Sequence, residues 1–139
     1  EAQMLCTALW HYAPKYAETC GLYKPVHQKH PCTLWAMESH RNYKFAFRLY
    51  HHMLDEYTSR YGRIHGAKKH YNSLMNGVSL IPEGHITQHP QCFSGLDELK
   101  TDEFYPIKAY RAFYNVDKAR FARYKYTDRP TWFKEVYYE

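Results

Sequence analysis

The sequence predicts an all-α protein, and three observations carry that prediction. Residues 34–61 contain neither Gly nor Pro and place apolar side chains at helical spacing. Residues 1–12 and 106–126 show the same spacing of three and four residues, and no segment sustains the alternation of a β-strand. With 139 residues, the chain is predicted to form a single compact domain, 1–139, of three main helices with long irregular connections.

The first predicted helix covers residues 1–12, because Ala2, Leu5 and Leu9 share one face. Pro14 is expected to end it, and residues 13–33 form a connection that contains several prolines. The helical pattern is already under way at the first residue, so we expect an N-terminal segment to precede Glu1 in the natural protein.

The second predicted helix is the longest and covers residues 34–61, between a capping Thr33 and a C-terminal Gly62. Its predicted apolar seam consists of Trp35, Asn42, Ala46, Leu49, Met53 and Tyr57. A shorter helical piece is predicted near 66–75. Residues 76–104 are predicted to be an extended loop with one helical turn near 95–100.

The third predicted helix covers residues 106–126 and begins at Pro106. Its apolar side is followed by an aromatic tail after Pro130. Basic side chains fall on the other side of this helix at helical spacing, namely Lys108, Arg111, Lys118 and Lys125.

Composition indicates a soluble globular protein, with 45% hydrophobic and 24% charged residues. No apolar run is long enough to span a bilayer and no secretory leader is present, so no membrane partner is predicted. The four cysteines are widely spaced and are expected to be free thiols in a reducing, cytoplasmic environment. Neither Cys6 nor Cys92 has neighbours in the sequence that would activate a thiolate.

Charge and aromatic content indicate a nucleic-acid partner. The net charge is +5, and 15 of the residues are Tyr. Residues 106–134 alone hold eight basic and two acidic side chains, a local charge of +6. Cations gain affinity for phosphates by releasing counterions, and aromatic rings stack on bases. Alternatively, the tyrosines fill a core with their hydroxyls at its rim, and the C-terminal rings clamp the chain end to that core.

The predicted DNA-binding side chains lie in two segments. The first is the polar, basic connection that ends at Cys32, with Lys24, His27 and His30. The second is the C-terminal segment, with Lys118, Arg120, Arg123, Lys125, Arg129, Trp132, Phe133, Lys134 and Tyr137.

Histidine and cysteine also occur together in two loops, which leaves zinc binding open. One group is His27, His30 and Cys32, and the other is His85, His89 and Cys92. Neither group has a standard zinc spacing, so the side chains could equally bond to loop backbone or contact phosphate. No metal or other cofactor is assigned, and the pair His51-His52 is expected on the surface or in the seam.

Glu38 is the candidate for proton transfer on the long helix, because Trp35 lies one turn before it. The alternative is that the carboxylate only stabilises the positive end of the helix dipole.

The C-terminal residues resemble a known family. Ala119-Arg120-Phe121-Ala122-Arg123-Tyr124-Lys125, followed by Arg129-Pro130-Thr131-Trp132-Phe133-Lys134, resembles the end of the phage pyrimidine-dimer DNA glycosylases of the endonuclease V type. The pieces His30-Pro31-Cys32-Thr33-Leu34-Trp35 and Lys118–Ala122 resemble uncharacterised phage and marine-virus relatives of that family.

The resemblance implies a compact all-α enzyme that flips a nucleotide out of double-stranded DNA. In this family an N-terminal amine attacks the sugar and cleaves the strand through a Schiff base, supported by a Glu of the first helix. By position, Glu1 is the catalytic candidate, Arg120 and Lys125 contact phosphates, and Trp132, Phe133, Lys134 and Tyr137 belong to the lesion-binding tail. The implied setting is the cytoplasm of a phage-infected bacterium.

Two departures from the family pattern stand out. The amine nucleophile is expected ahead of Glu1, and the loop 76–104 is longer than the family's. The hypothesis from a different class is a non-catalytic DNA-binding or virion accessory protein that uses the same basic face. A monomer is expected in either case.

Overall fold

The computed structural model describes residues 1–133, which are helical or irregular and contain no β-strand. The predicted all-α class is therefore confirmed. Six α-helices within these residues replace the predicted three, with 3₁₀ and π turns between several of them. The chain divides after Thr87 into two compact units, residues 1–87 and 88–139. Within residues 1–133, no helix combines the length and apolar character that crossing a bilayer would demand.

The first unit opens as predicted, with α1 at Ala2–Tyr12. Pro14 ends α1 and also occupies the first turn of α2, Pro14–Thr19, where a missing N–H costs nothing. The remaining helices of this unit are α3 at Pro31–Glu38, α4 at His40–Tyr61 and α5 at Tyr71–Asn76.

The predicted continuous helix over 34–61 is wrong, because the chain breaks at Ser39. This residue is extended, with φ −154° and ψ 157°, and separates α3 from α4. Its Oγ accepts the Asn42 N–H at 3.1 Å and so caps α4. The same hydroxyl donates to the His85 carbonyl at 2.9 Å. Propensity alone could not reveal the break, since the second bond is made to a distant segment.

The end of α4 is as predicted. Gly62 has the left-handed φ of 65°, and its N–H bonds to the Thr58 carbonyl. The short helical piece predicted near 66–75 is also present and continues beyond it to Leu80. A 3₁₀ turn at Gly66–His70 leads into α5, and a second one at Gly77–Leu80 follows it.

The core of the first unit places tyrosines where their hydroxyls reach backbone carbonyls. Tyr43 is fully buried and donates to Leu74 O at 2.6 Å. Tyr50 donates to Ala67 O at 2.6 Å, and Tyr16 donates to Ser73 O at 2.7 Å. Each bond satisfies a polar group that burial would otherwise penalise. Part of the high Tyr content therefore serves the core, as the alternative reading of the composition proposed.

The predicted seam of the long helix is partly wrong. Leu49 and Met53 are 41% and 53% exposed. The buried face of α4 instead carries Asn42, Tyr43, Ala46, Tyr50 and Leu54. Two neighbouring stripes of this helix are apolar, and the hydrogen bonds of the tyrosines decide which one is buried.

The second unit contains one α-helix among its described residues, α6 at Ile107–Phe113, which continues as a π turn at Tyr114–Lys118. The predicted helix to residue 126 is therefore too long. Phe133 is buried against Tyr124, with ring centroids 5.6 Å apart, and a straight helix would prevent this return of the chain. Residues 81–96 are irregular, and the predicted turn appears as a 3₁₀ turn at Asp97–Leu99.

Candidate functional site

The basic C-terminal segment begins with two cations that share one carboxylate. Lys118 Nζ lies 3.2 Å from Asp117 Oδ2, and Arg120 Nη2 lies 3.8 Å from Asp117 Oδ1. Arg120 also donates from Nε to the Asp117 carbonyl at 3.0 Å. Lys118 is half-buried and Arg120 is exposed, so Arg120 is the better placed of the two for a phosphate.

The next cations lie beyond the last helical turn. Arg123, Lys125 and Arg129 are exposed, in a stretch without regular secondary structure. Arg123 donates to the Ala122 carbonyl at 2.9 Å, and the Lys125 ammonium lies 5.2 Å from the centre of the Tyr126 ring. Lys125 therefore does not share a helix face with Lys108, Arg111 and Lys118 as predicted, because it lies in this irregular segment.

The predicted aromatic residues of this segment differ in exposure. Phe133 is only 6% exposed and contacts the rings of Tyr124 and Trp132. Trp132 is half-buried, and the Arg111 guanidinium lies 5.3 Å from its ring centre. These contacts agree with the alternative interpretation, in which the C-terminal rings pack against the protein itself.

The most exposed rings of this segment, Tyr126 and Phe121, are not among the predicted DNA-binding side chains. Tyr126 is 61% exposed and Phe121 is 54% exposed. Each follows a basic residue in the sequence, since Lys125 precedes Tyr126 and Arg120 precedes Phe121. This adjacency is the sequence feature that could have identified them. The remaining predicted positions, Lys134 and Tyr137, lie outside the described residues.

Glu1 stands at the N-terminal end of α1. It is half-buried and occupies the N-cap position, where its carbonyl accepts the Leu5 N–H at 3.0 Å. Its side chain makes no capping hydrogen bond.

The predicted basic connection runs along α1 toward the same end. Trp10 Nε1 donates to the Tyr23 carbonyl at 2.9 Å, and Thr7 Oγ donates to the Val26 carbonyl at 2.8 Å. The connection therefore runs antiparallel to α1 between Tyr23 and Val26. Lys24 is held over the Trp10 ring at 4.8 Å.

The histidines of that connection have local structural roles. His27 adopts the left-handed φ of 53°, and its ring lies 6.4 Å from that of His30. His30 Nδ1 accepts the Cys32 N–H at 3.1 Å and so caps α3. In the second unit, His89 Nδ1 lies 2.7 Å from the Pro90 carbonyl oxygen. Bonds to loop backbone are one of the alternatives that the sequence left open for these residues.

Glu38 belongs to a hydrogen-bonded network that the sequence only partly indicated. Its Oε2 accepts from Thr87 Oγ1 at 2.6 Å and from Asn42 Nδ2 at 3.2 Å. Trp35 Nε1 donates to the Thr87 carbonyl at 3.1 Å. Glu38 is the last residue of α3 and precedes the cap of α4, so the expected position inside one long helix is wrong. No feature of the sequence predicted that Thr87 belongs to this network.

Burial shifts the pKa of several side chains in the first unit. Burial raises the pKa of the Cys6 thiol to about 11, which leaves it protonated and unreactive at neutral pH. Burial also raises the pKa of Tyr50 to about 12 and lowers the pKa of His70 below its usual value. Cys6 therefore lacks the lowered pKa that activates a cysteine thiolate.

Comparison of the chain with protein-family models, with curated proteins and with solved structures finds no match.

Proposed function

We propose that this protein is a DNA repair glycosylase with abasic-site lyase activity on damaged, pyrimidine-dimer DNA. The observation that carries the proposal is the exposed cationic segment, in which Arg120, Arg123, Lys125 and Arg129 stand beside the exposed rings of Phe121 and Tyr126. Cations that neutralise phosphates and rings that stack on or wedge between bases are what a nucleotide-flipping protein requires.

The proposed chemistry comes from the resemblance of the C-terminal residues to the pyrimidine-dimer glycosylases. An amine would attack C1′ of the flipped nucleotide and displace the base, and the resulting imine would allow β-elimination of the 3′ phosphate. Glu1 is the proposed catalytic carboxylate. Its half-buried position at the start of α1, without a capping bond from its side chain, supports this assignment.

Borohydride trapping tests the Schiff base directly. The full-length gene product is incubated with a duplex that carries one abasic site, with and without sodium borohydride. A covalent protein–DNA adduct and strand cleavage are expected. Glu1→Gln should slow cleavage without weakening duplex binding, whereas Glu18→Gln, at an exposed position of α2, should behave as the parent.

The second candidate is a non-catalytic DNA-binding or virion accessory protein, which the same exposed cations favour. It predicts salt-sensitive duplex binding without adduct or cleavage. Absence of any duplex binding at low salt would contradict both candidates.

A further inference from the structure

A second constellation of ligand-bearing side chains lies on α4, a helix that carries none of the residues assigned to DNA. His51, His52 and Asp55 each offer one ligand atom, and these atoms all lie within 4.8 Å of one another. His51 Nε2 lies 3.3 Å from Asp55 Oδ2. The three side chains are on one helix, so a regular backbone fixes their spacing.

We propose that His51, His52 and Asp55 form a binding site for a divalent transition metal ion of the zinc class. Two ligands of a tetrahedral zinc ion, at about 2.0–2.1 Å from the metal, stand roughly 3.3 Å apart. The pair His51–Asp55 already has that separation, and rotation of the exposed His52 side chain supplies the third ligand. Two imidazoles with one carboxylate suit zinc, iron or nickel and disfavour calcium and magnesium.

A hydrogen bond to Tyr71 fixes the orientation of the His51 ring. Its Nδ1 lies 2.9 Å from the Tyr71 hydroxyl. Tyr71 is half-buried and contacts the rings of Phe47 and Tyr50, at centroid distances of 5.1 and 6.1 Å. Nδ1–H can then donate to the phenolic oxygen when a metal binds, which leaves the Nε2 lone pair for the ion on the side of Asp55. A metal-bound histidine ordinarily has such a partner on its other nitrogen.

The ion pair between His51 and Asp55 does not explain why His52 lies beside them. The side chains of His51 and Asp55 are 42% and 66% exposed, and a pair this exposed contributes little to stability. Three protein ligands leave the fourth position of a tetrahedral ion to water or to a group from a partner, as in open zinc sites.

The test uses zinc and cobalt as probes of the purified full-length protein after chelator treatment. Calorimetric titration with Zn²⁺ is expected to show a saturable site. His52→Gln and Asp55→Asn should each weaken it at least tenfold, because each removes one of three ligands. Tyr71→Phe should weaken it about tenfold through loss of the partner of His51. His11→Gln, at an exposed histidine of α1, is the matched control and should leave the affinity unchanged.

Cobalt distinguishes this site from one built on cysteine. Co²⁺ bound by nitrogen and oxygen ligands gives visible d–d bands without the near-ultraviolet charge-transfer band of a thiolate. Those visible bands are expected in the parent and should be lost in His52→Gln. Absence of saturable Zn²⁺ binding, affinity that none of the ligand variants alters, or a thiolate band in the cobalt spectrum would each overturn the proposal. Circular dichroism is expected to show that His52→Gln, Asp55→Asn and Tyr71→Phe remain folded, because they change only the surface of α4 or a phenolic hydroxyl.

Discussion

The Asn42 side chain forms hydrogen bonds with the backbone and the hydroxyl of Thr87 in the interior of the first unit. The Asn42 side chain is fully buried, its Oδ1 accepts the Thr87 N–H at 2.9 Å, and its Nδ2 lies 2.8 Å from Thr87 Oγ1. Nδ2 also donates to the Trp35 carbonyl at 2.8 Å. One buried amide thus joins the end of α3, the start of α4 and the segment that closes this unit.

Asn42→Ala should destabilise the protein by about 2–4 kcal/mol, because it leaves the Trp35 carbonyl and the Thr87 N–H without their partner. Urea unfolding measures the change. Asn72→Ala removes the same group from an exposed position of α5 and should cost less than about 0.5 kcal/mol. Equal effects of the two substitutions would show that the buried network contributes nothing.

Gly84→Ala should destabilise through a clash with the cap of α4. A Cβ at Gly84 would lie 2.9 Å from Ser39 Cβ, and overpacking of this kind costs about 1–3 kcal/mol. Gly66→Ala is the control, since nothing lies within 4 Å of its Cβ position.

A double-mutant cycle separates the clash from other effects of Gly84→Ala. Ser39→Gly removes the opposing Cβ together with the Oγ bonds to Asn42 and His85, so the coupling between the two substitutions, and not either single change, measures the clash. Gly84→Ala should therefore be milder in the Ser39→Gly background than in the parent, as measured by urea unfolding. Strict additivity of the two substitutions would contradict the predicted contact.

His70 should make the fold sensitive to acid. The side chain is 4% exposed, its ring packs edge-on against Tyr23 at 4.4 Å, and burial, assisted by the Lys69 charge, lowers its pKa. Its Nε2 is buried without a hydrogen-bond partner among the described residues. Because the folded pKa lies below the unfolded value of about 6.5, the unfolded chain binds the proton more tightly. Stability should fall as the pH drops below about 6.5, by at most about 1.4 kcal/mol per pH unit.

Unfolding free energies measured between pH 7.5 and 5.5 test this expectation. His70→Gln should flatten the pH dependence, whatever it does to stability at pH 7.5, whereas His85→Gln should leave the slope unchanged. A slope that His70→Gln does not alter would assign the acid sensitivity to other groups.

The exposed cations of the C-terminal segment should set the affinity for duplex DNA. Arg120→Gln and Lys125→Gln should each weaken binding to all sequences alike and reduce the slope of log K against log salt by about 1. Fluorescence anisotropy across a salt series measures both quantities. Lys15→Gln, on the exposed surface of α2, is the charge-matched control and should leave the slope unaltered. If Lys15→Gln changes the slope as much as Lys125→Gln does, duplex binding depends on net charge and not on this segment.

The sequence by itself determined the all-α class, the bounds of α1 and the end of α4 at Gly62, because each depends on residues close together in the chain. It also determined the excess of positive charge near the C-terminal end. The break at Ser39, the burial of Asn42 and the packing of Phe133 against Tyr124 were decided by the tertiary structure. The first two depend on His85 and Thr87, which lie more than 40 residues along the chain. The third depends on a turn of the irregular segment, and no local period or propensity encodes any of these contacts. The same holds for the tilt of His51 toward Asp55, which Tyr71 fixes from another helix.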